Sequence, residues 1–303
     1  MFNSFSKSIL FAPLLSLLLG GVLVVSCGDD DNEEDVQTSS SDQNGGNGSS
    51  DNGNGGNGSS DNGNGGTPAF DGKDKVYTAN GVSFTMIAVR GGTFTMGATS
   101  EQTGARSNES PTHSVTLSDY YIGETEVTQE LWNAVMGSNP SNFGDMQHPV
   151  EMVSWDDCQT FISRLNELTG ETFRLPTEAQ WEYAARGGNK SKGYTYSGSN
   201  AIDDVAWYYG NQGGGMMTHP VKTKAPNELG IYDMSGNVCE WCSDWYDFYS
   251  SAAQTDPTGP ARDSFRVIRG GSWVYGATDC RVAWRSGITP TNSIYYLGLR
   301  LAY

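Results

Sequence analysis

Two identical decapeptides in tandem, GGNGSSDNGN at residues 45–54 and 55–64, decide which part of this 303-residue chain is able to fold. They hold no apolar side chain with which to close a core, and the preceding GDDDNEED run at residues 28–35 repels itself. Such a composition gives a flexible coil, so residues 28–66 are expected to form a tether with a reach on the order of 35 Å. All packing is therefore expected from residues 67–303, which are enough for one domain with a sizeable core and contain no second linker.

The N-terminus explains what a tether is for. Lys7 precedes an apolar run from Ile9 to Val25 that contains Pro13, Gly20 and Gly21 and ends at Ser26 and Cys27. A membrane span is the alternative, but the run is short and stops at small residues, the pattern of a secretion signal over residues 1–26. The junction resembles a bacterial lipobox. That resemblance implies that Cys27 is the lipidated first residue of the mature chain, held in the membrane by acyl chains, with residues 27–66 as its tether. The acidic run also resembles the export signal of Bacteroidetes-type lipoproteins. It implies a lipid-anchored protein of the bacterial envelope, on the outer membrane and exposed at the surface.

Charge narrows the partner. Nine of the 35 acids lie in residues 28–66, and Lys7 lies in the signal, so the folding region carries 26 acids against 17 bases, a net −9. Phosphate binding needs a basic face, which argues against nucleic acid. Acidity here serves solubility.

Glycine (39 residues), tryptophan (8) and tyrosine (15) are abundant while long periodic segments are few, which predicts an α+β domain rich in irregular structure. Three helices are predicted. Thr128 caps one running to about Met136. Ser154 with Asp157 forms a capping-box start, followed by Cys158, Phe161, Ile162, Leu165 and Leu168 at helical spacing and Gly170 as the stop. The third lies in RLPTEAQWEYAARGG (174–188), with Pro176 in its first turn and Gly187 at its C-terminal cap. Cys158 is thus a core residue.

From this third helix the chain becomes recognisable. VRGGTFTMG (89–97), ESPTHSV (109–115), EVTQELW (126–132), HPVEMVSWDD (148–157), RLPTEAQWEYAARGG, PNELGIYDMSGNVCEWCSD (226–244), RVIRGGSW (266–273) and LGLR (297–300) stand in the order found in the formylglycine-generating enzyme, or sulfatase-modifying factor, family. The resemblance covers nearly all of residues 80–303. It implies that family's variant of the C-type lectin fold.

Active members of that family hold Cu(I) between two cysteines, three and eight residues beyond the serine of a Gly-Gly-Ser turn, and convert a sulfatase cysteine to formylglycine. By this resemblance Ser272 and Cys280 are remnants of the catalytic site, because Tyr275 stands where the first cysteine belongs. Cu(I) is a soft ion that two thiolates satisfy, whereas a phenol with a pKa near ~10 is a hard, protonated ligand at neutral pH. Copper and the oxidase chemistry are therefore not expected. Cys239 and Cys242 form the chain's only CxxC; without a second pair or a thioredoxin-like pattern they are expected to be core residues or a disulfide rather than a redox or zinc site. His113, His148 and His219 are far apart in sequence and imply no metal site.

One ion site is implied by the same resemblance: Ca²⁺ held by a side-chain oxygen of Asp233, the carbonyls of Gly236 and Val238, and the Glu240 carboxylate. Hard oxygen donors with two acids suit that ion. Between Trp273 and Tyr296, Tyr, Ser, Gly, Asn and Thr dominate, the residues of adaptable binding loops. The candidate ligand-binding residues in this 273–296 surface are Val274, Tyr275, Thr278, Asp279, Trp284, Ser286, Ile288, Thr289, Asn292, Tyr295 and Tyr296, with Cys280, Arg281 and Arg285 as framework. The placement resembles the variable proteins of diversity-generating retroelements, whose C-terminal segment is rewritten at template adenines. Apart from Trp284, every non-framework residue of 274–296 is encodable from an asparagine codon with randomised adenines, and Lys, Gln, Glu and Met are absent there. The sequence thus points to a surface-anchored lipoprotein that displays a non-catalytic domain for an unidentified protein or glycan. The alternatives are a formylglycine-generating oxidase and a structural envelope lipoprotein.

Overall fold

A computed structural model describes residues 70–303. The signal, Cys27 and the tether lie outside the described residues, as does the start of the expected domain. Fourteen strands and α-helices follow one another through long connections. An N-terminal hairpin, β1 (Lys75–Ala79) and β2 (Val82–Val89), turns through Asn80 and Gly81, both at positive φ, and β2 carries on against β5 (Tyr120–Gly123). A second sheet joins β3 (Gly92–Met96) to β4 (His113–Leu117) and, in parallel, to the two-residue β7 (Gln254–Thr255). The third has the order β10-β6-β8-β9, from β6 (Cys239–Trp245), β8 (Arg266–Arg269), β9 (Arg285–Ile288) and β10 (Leu297–Leu299).

The helices form where local chemistry dictates. The Thr128 hydroxyl accepts the Leu131 N–H to start α1 (Gln129–Met136), and Gly137 ends it at φ 77°. Ser154 and Asp157 exchange the reciprocal bonds of a capping box at α2 (Trp155–Thr169), which Gly170 closes at φ 73°. Cys158, Phe161, Ile162 and Leu165 face the core as predicted, but Leu168, on the same face in the last turn of α2, is 48% exposed. For α3 (Glu178–Ala185) the expected start was wrong by one turn position. Thr177 is the cap, in a box with Gln180, and Pro176 stands outside the helix. A short α4 (Ile202–Val205) follows.

Two apolar clusters flank the third sheet. One gathers α1, α2, β1 and β2 with Trp241 and Trp284; the other gathers α3, β4 and β5 with Val267 and Val282. Strand geometry explains the CxxC. Residues three apart on a strand point to opposite faces, so Cys239 enters the first cluster and Cys242 the second. They cannot reach each other; Cys158, Cys239, Cys242 and Cys280 are all buried free thiols.

With so little regular structure, buried ion pairs hold the connections together. Arg269 meets Glu182; Arg281 grips Glu109 at 2.6 and 2.7 Å; Arg285 grips Glu178 at 2.6 and 2.8 Å; Arg300 meets Glu240 at 2.7 Å. Each joins residues distant in sequence through bidentate or multiple charge-assisted bonds, and three of them tie the third sheet to its surroundings.

Candidate binding face and calcium site

The Gly-Gly-Ser turn positions the face. Gly270 and Gly271 adopt φ 92° and 70°, and a Cβ at Gly271 would lie 2.4 Å from the Asp279 carbonyl oxygen and 2.9 Å from the Cys280 sulfur, so only glycine lets the chain pass there. Ser272 and Cys280 are fully buried beneath the turn, and the Ser272 backbone N–H faces the Cys280 thiol. Burial pushes that thiol up to about 12, which leaves it protonated. The Ser272 hydroxyl lies beside the Cys239 thiol without a well-directed partner among the described residues.

Tyr275, in place of a second thiol, has turned inward. Its ring packs on Trp284 (5.6 Å between centroids) and Tyr296 (5.4 Å), and burial raises its phenol far above its ordinary value. Tyr296 continues to Tyr295 (5.3 Å), Tyr295 to Trp273 (5.7 Å) and Trp273 to Phe143 (5.5 Å). A ladder of aromatic rings thus runs from Trp284 in the core out to Tyr295 and back to the buried Trp273, and two short loops of the same segment are exposed beside it in sequence. One is the helical turn Ala277–Asp279, where Thr278 is exposed and Asp279 pairs with Arg106; the other is the loop of Thr289 and Asn292, with Asn292 exposed. Tyr295 is 42% exposed, and Val274, Ser286, Ile288 and Thr289 are half-buried.

Trp284 corrects the expectation. At 2% exposure it belongs to the first core cluster and cannot meet a ligand, because it precedes Arg285, whose ion pair draws the start of β9 inward. Phe143 was missed: it stands far from the C-terminal segment in sequence, and no pattern marks it. Its backbone N–H donates to Glu151 at 2.9 Å, which fixes the loop that brings it to Trp273. Tyr209, 64% exposed, also joins the face, since its N–H donates to the Tyr275 carbonyl at 3.0 Å.

The expected calcium ligands sit on a tightly bent segment, with positive φ at Asp233 (60°), Gly236 (81°) and Asn237 (56°). A Cβ on Gly236 would lie 2.2 Å from the Trp207 carbonyl oxygen. Asp233 is buried and accepts the Lys222 N–H at 2.9 Å; burial raises its carboxyl to about 6. Glu240 takes Arg300 and the Trp181 indole N–H at 2.6 Å. Glu126 accepts the Val238 and Asn237 N–H groups, and burial followed by the charges of Asp233 and Glu240 drives its carboxyl far up. Three buried acids therefore share one guanidinium, a crowding that either protons or a cation would relieve. Among the described residues no group of three or more His, Cys, Asp or Glu side chains is arranged as a metal cluster, so such an ion would depend on backbone carbonyls as well. His148 and His219 do come near each other, through Thr218, which bonds His148 at 2.8 Å, and burial lowers both imidazoles.

Short sheets and long connections with buried Arg–Glu pairs beneath a loop-built face give this chain the C-type-lectin-like fold in its sulfatase-modifying variant. The chain belongs to that family: residues 76–303 match the sulfatase-modifying factor enzyme 1-like domain. Among solved structures, Treponema denticola variable protein 1 is 37% identical, with a TM-score of 0.69 over 78% of this chain and 99% of that one. Chaperone protein LppX of Paenibacillus barcinonensis is 36% identical over 67% of this chain and 83% of its own length. The formylglycine-generating enzyme of Streptomyces coelicolor is 37% identical over 56% of this chain, and the match spans 57% of that enzyme.

Proposed function

We propose that this protein is a lipid-anchored envelope protein that displays a non-catalytic binding domain, with residues 274–296 as the ligand-selecting face. The observation that carries this reading is the replacement of the catalytic thiol by Tyr275, whose ring is built into the aromatic ladder. The residues that would have made a copper site instead prop up Tyr295 and Tyr296. Copper does not fit here, because Tyr275 offers no second thiolate to a soft ion. The likeness to a variable protein at 37% identity supports a face that changes on a constant scaffold. Calcium at Asp233, Gly236, Val238 and Glu240 is proposed as a structural ion that steadies the segment leading into β6.

The ligand is a protein or glycan met outside the membrane, and nucleic acid is not among the proposed partners. The test uses the soluble domain, residues 67–303, on arrays of glycans and envelope proteins. A ligand retained by wild type and lost in Tyr295→Ala at unchanged melting temperature supports the face. Copper-dependent conversion of a Cys-x-Pro-x-Arg peptide to formylglycine would overturn the non-catalytic reading. The likeness to a chaperone protein favours one second reading, a lipoprotein that assists an envelope partner. Stable co-purification with that partner, undisturbed by substitutions at Asn292 and Tyr295, would select it.

A further inference from the structure

A well-formed cavity lies on the opposite cluster of the fold from the aromatic ladder. It has a volume of about 540 Å³, within the range of small-molecule sites, and lies between α3, β4 and the segment after β6. Its floor holds Asp244, only 4% exposed. One carboxylate oxygen, Oδ2, accepts the Glu178 N–H at the start of α3 (3.0 Å) and the Ser243 hydroxyl (2.9 Å). The other, Oδ1, accepts no hydrogen bond from any described residue and abuts Gly259 on the cavity wall. A Cβ there would sit 2.9 Å from the Asp244 Cβ and 3.3 Å from Oδ1, so only glycine, at φ 73°, lets the wall pass this close to Asp244.

We propose that this cavity binds a primary ammonium on an aliphatic stem, as in lysine, with Asp244 Oδ1 as its counter-ion. Charge explains the sign. Glu178 is matched in full by the two-pronged grip of Arg285 and has Tyr249 as a further donor at 3.1 Å, so of the two buried acids in the cavity the one without an ion-pair partner is Asp244, while Asp247 is exposed to solvent. A metal ion is disfavoured, since one free carboxylate oxygen is far from a ligand shell and no cluster of three ligating side chains exists among the described residues. Met96, Ala179, Pro257 and Pro260 offer an apolar wall for the stem. Phe248 stands at the rim, 77% exposed, with an open ring face for a cation.

The charged groups around Asp244 set its pH response. Glu178 on α3 repels it, Arg285 on β9 attracts it, Arg266 and Arg174 feel its charge, and Asp247 and His113 share the cavity. Burial, and then the Glu178 charge, raise the Asp244 carboxyl to about 7. The ammonium stays charged well above that, near ~10.4, and requires the ionised carboxylate. Affinity must therefore rise through pH 7 and level off above it.

Calorimetric titration of the 67–303 domain tests this with Nα-acetyl-lysine methylamide, its Nε-acetylated form and cadaverine. The lysine probe is expected to bind saturably, about tenfold more tightly at pH 8 than at pH 6, and the Nε-acetylated form at least tenfold more weakly. Binding of cadaverine as well identifies a free amine as sufficient; binding of the methylamide alone identifies a peptide-borne lysine. Asp244→Asn keeps an oxygen for the Glu178 N–H and should lose the binding and its pH slope. Phe248→Ala, at an exposed site, should weaken the lysine probe several-fold at unchanged melting temperature, which guards against a folding defect in the first variant. Equal binding of the charged and neutral probes, no binding of either amine, or an affinity that falls with rising pH overturns the proposal.

Discussion

Burial separates residues that hold the face from residues that form it, even where the sequence gives both the same aromatic character. Trp284→Ala opens a cavity in the first core cluster and is expected to cost about 3–5 kcal/mol, whereas Tyr295→Ala should stay within about 0.5 kcal/mol. Urea denaturation of the two variants measures the contrast. Glu151 makes a pH-dependent case. One of its oxygens accepts the Phe143 N–H and the other is buried without a partner among the described residues; burial raises the carboxyl to about 7. Because the folded state holds this proton more tightly than the unfolded chain, whose glutamate titrates near ~4.3, its contribution to stability falls as pH rises from about 4 through 7. Glu151→Gln should therefore melt roughly 2–4 °C above wild type at pH 8 and show no gain near pH 4. Thermal scans at both pH values check it. Tyr275 was legible, through the resemblance to the formylglycine-generating family, as the residue that breaks the thiol pair. Its burial was not, because aromatic side chains suit a binding loop and a core equally well, and only the register of the loop decides.

At the scale of elements, α1 and α2 were legible because capping residues, apolar spacing and a terminal glycine all agree. The α3 start was displaced because proline and threonine both suit a helix entrance, and the Thr177–Gln180 box won. Strands β7 and β10, two and three residues long, have no periodicity to read. The buried pairs were invisible for a different reason: Glu109 and Arg281 are 172 residues apart, and nothing local signals their meeting. Arg281→Ala leaves the Glu109 charge buried and alone and is expected to cost about 3–5 kcal/mol, with the Thr278 turn loosened; the double replacement by apolar residues should recover part of this. Chemical denaturation of the single and double variants checks it.

The whole molecule is a scaffold pinned by buried charge, with a proposed calcium ion beneath β6 and a proposed variable face above the Gly-Gly-Ser turn. Calcium should raise the melting temperature of wild type, and chelation should reverse the rise; Asp233→Ala should lose the response. Equal melting with calcium and with chelator would show that no such ion supports the fold. The division into scaffold and face is the central claim, and the DNA beside the coding sequence tests it most directly. A near-copy of the segment for residues 274–296 is predicted nearby, with a reverse-transcriptase gene. Its mismatches should fall at adenines in the codons of face residues such as Tyr275, Thr278, Asn292, Tyr295 and Tyr296, and should spare those of Trp273, Cys280, Arg281 and Trp284. A near-copy whose mismatches fall evenly on scaffold and face codons, or no near-copy at all, would contradict the claim that this face is the part that varies.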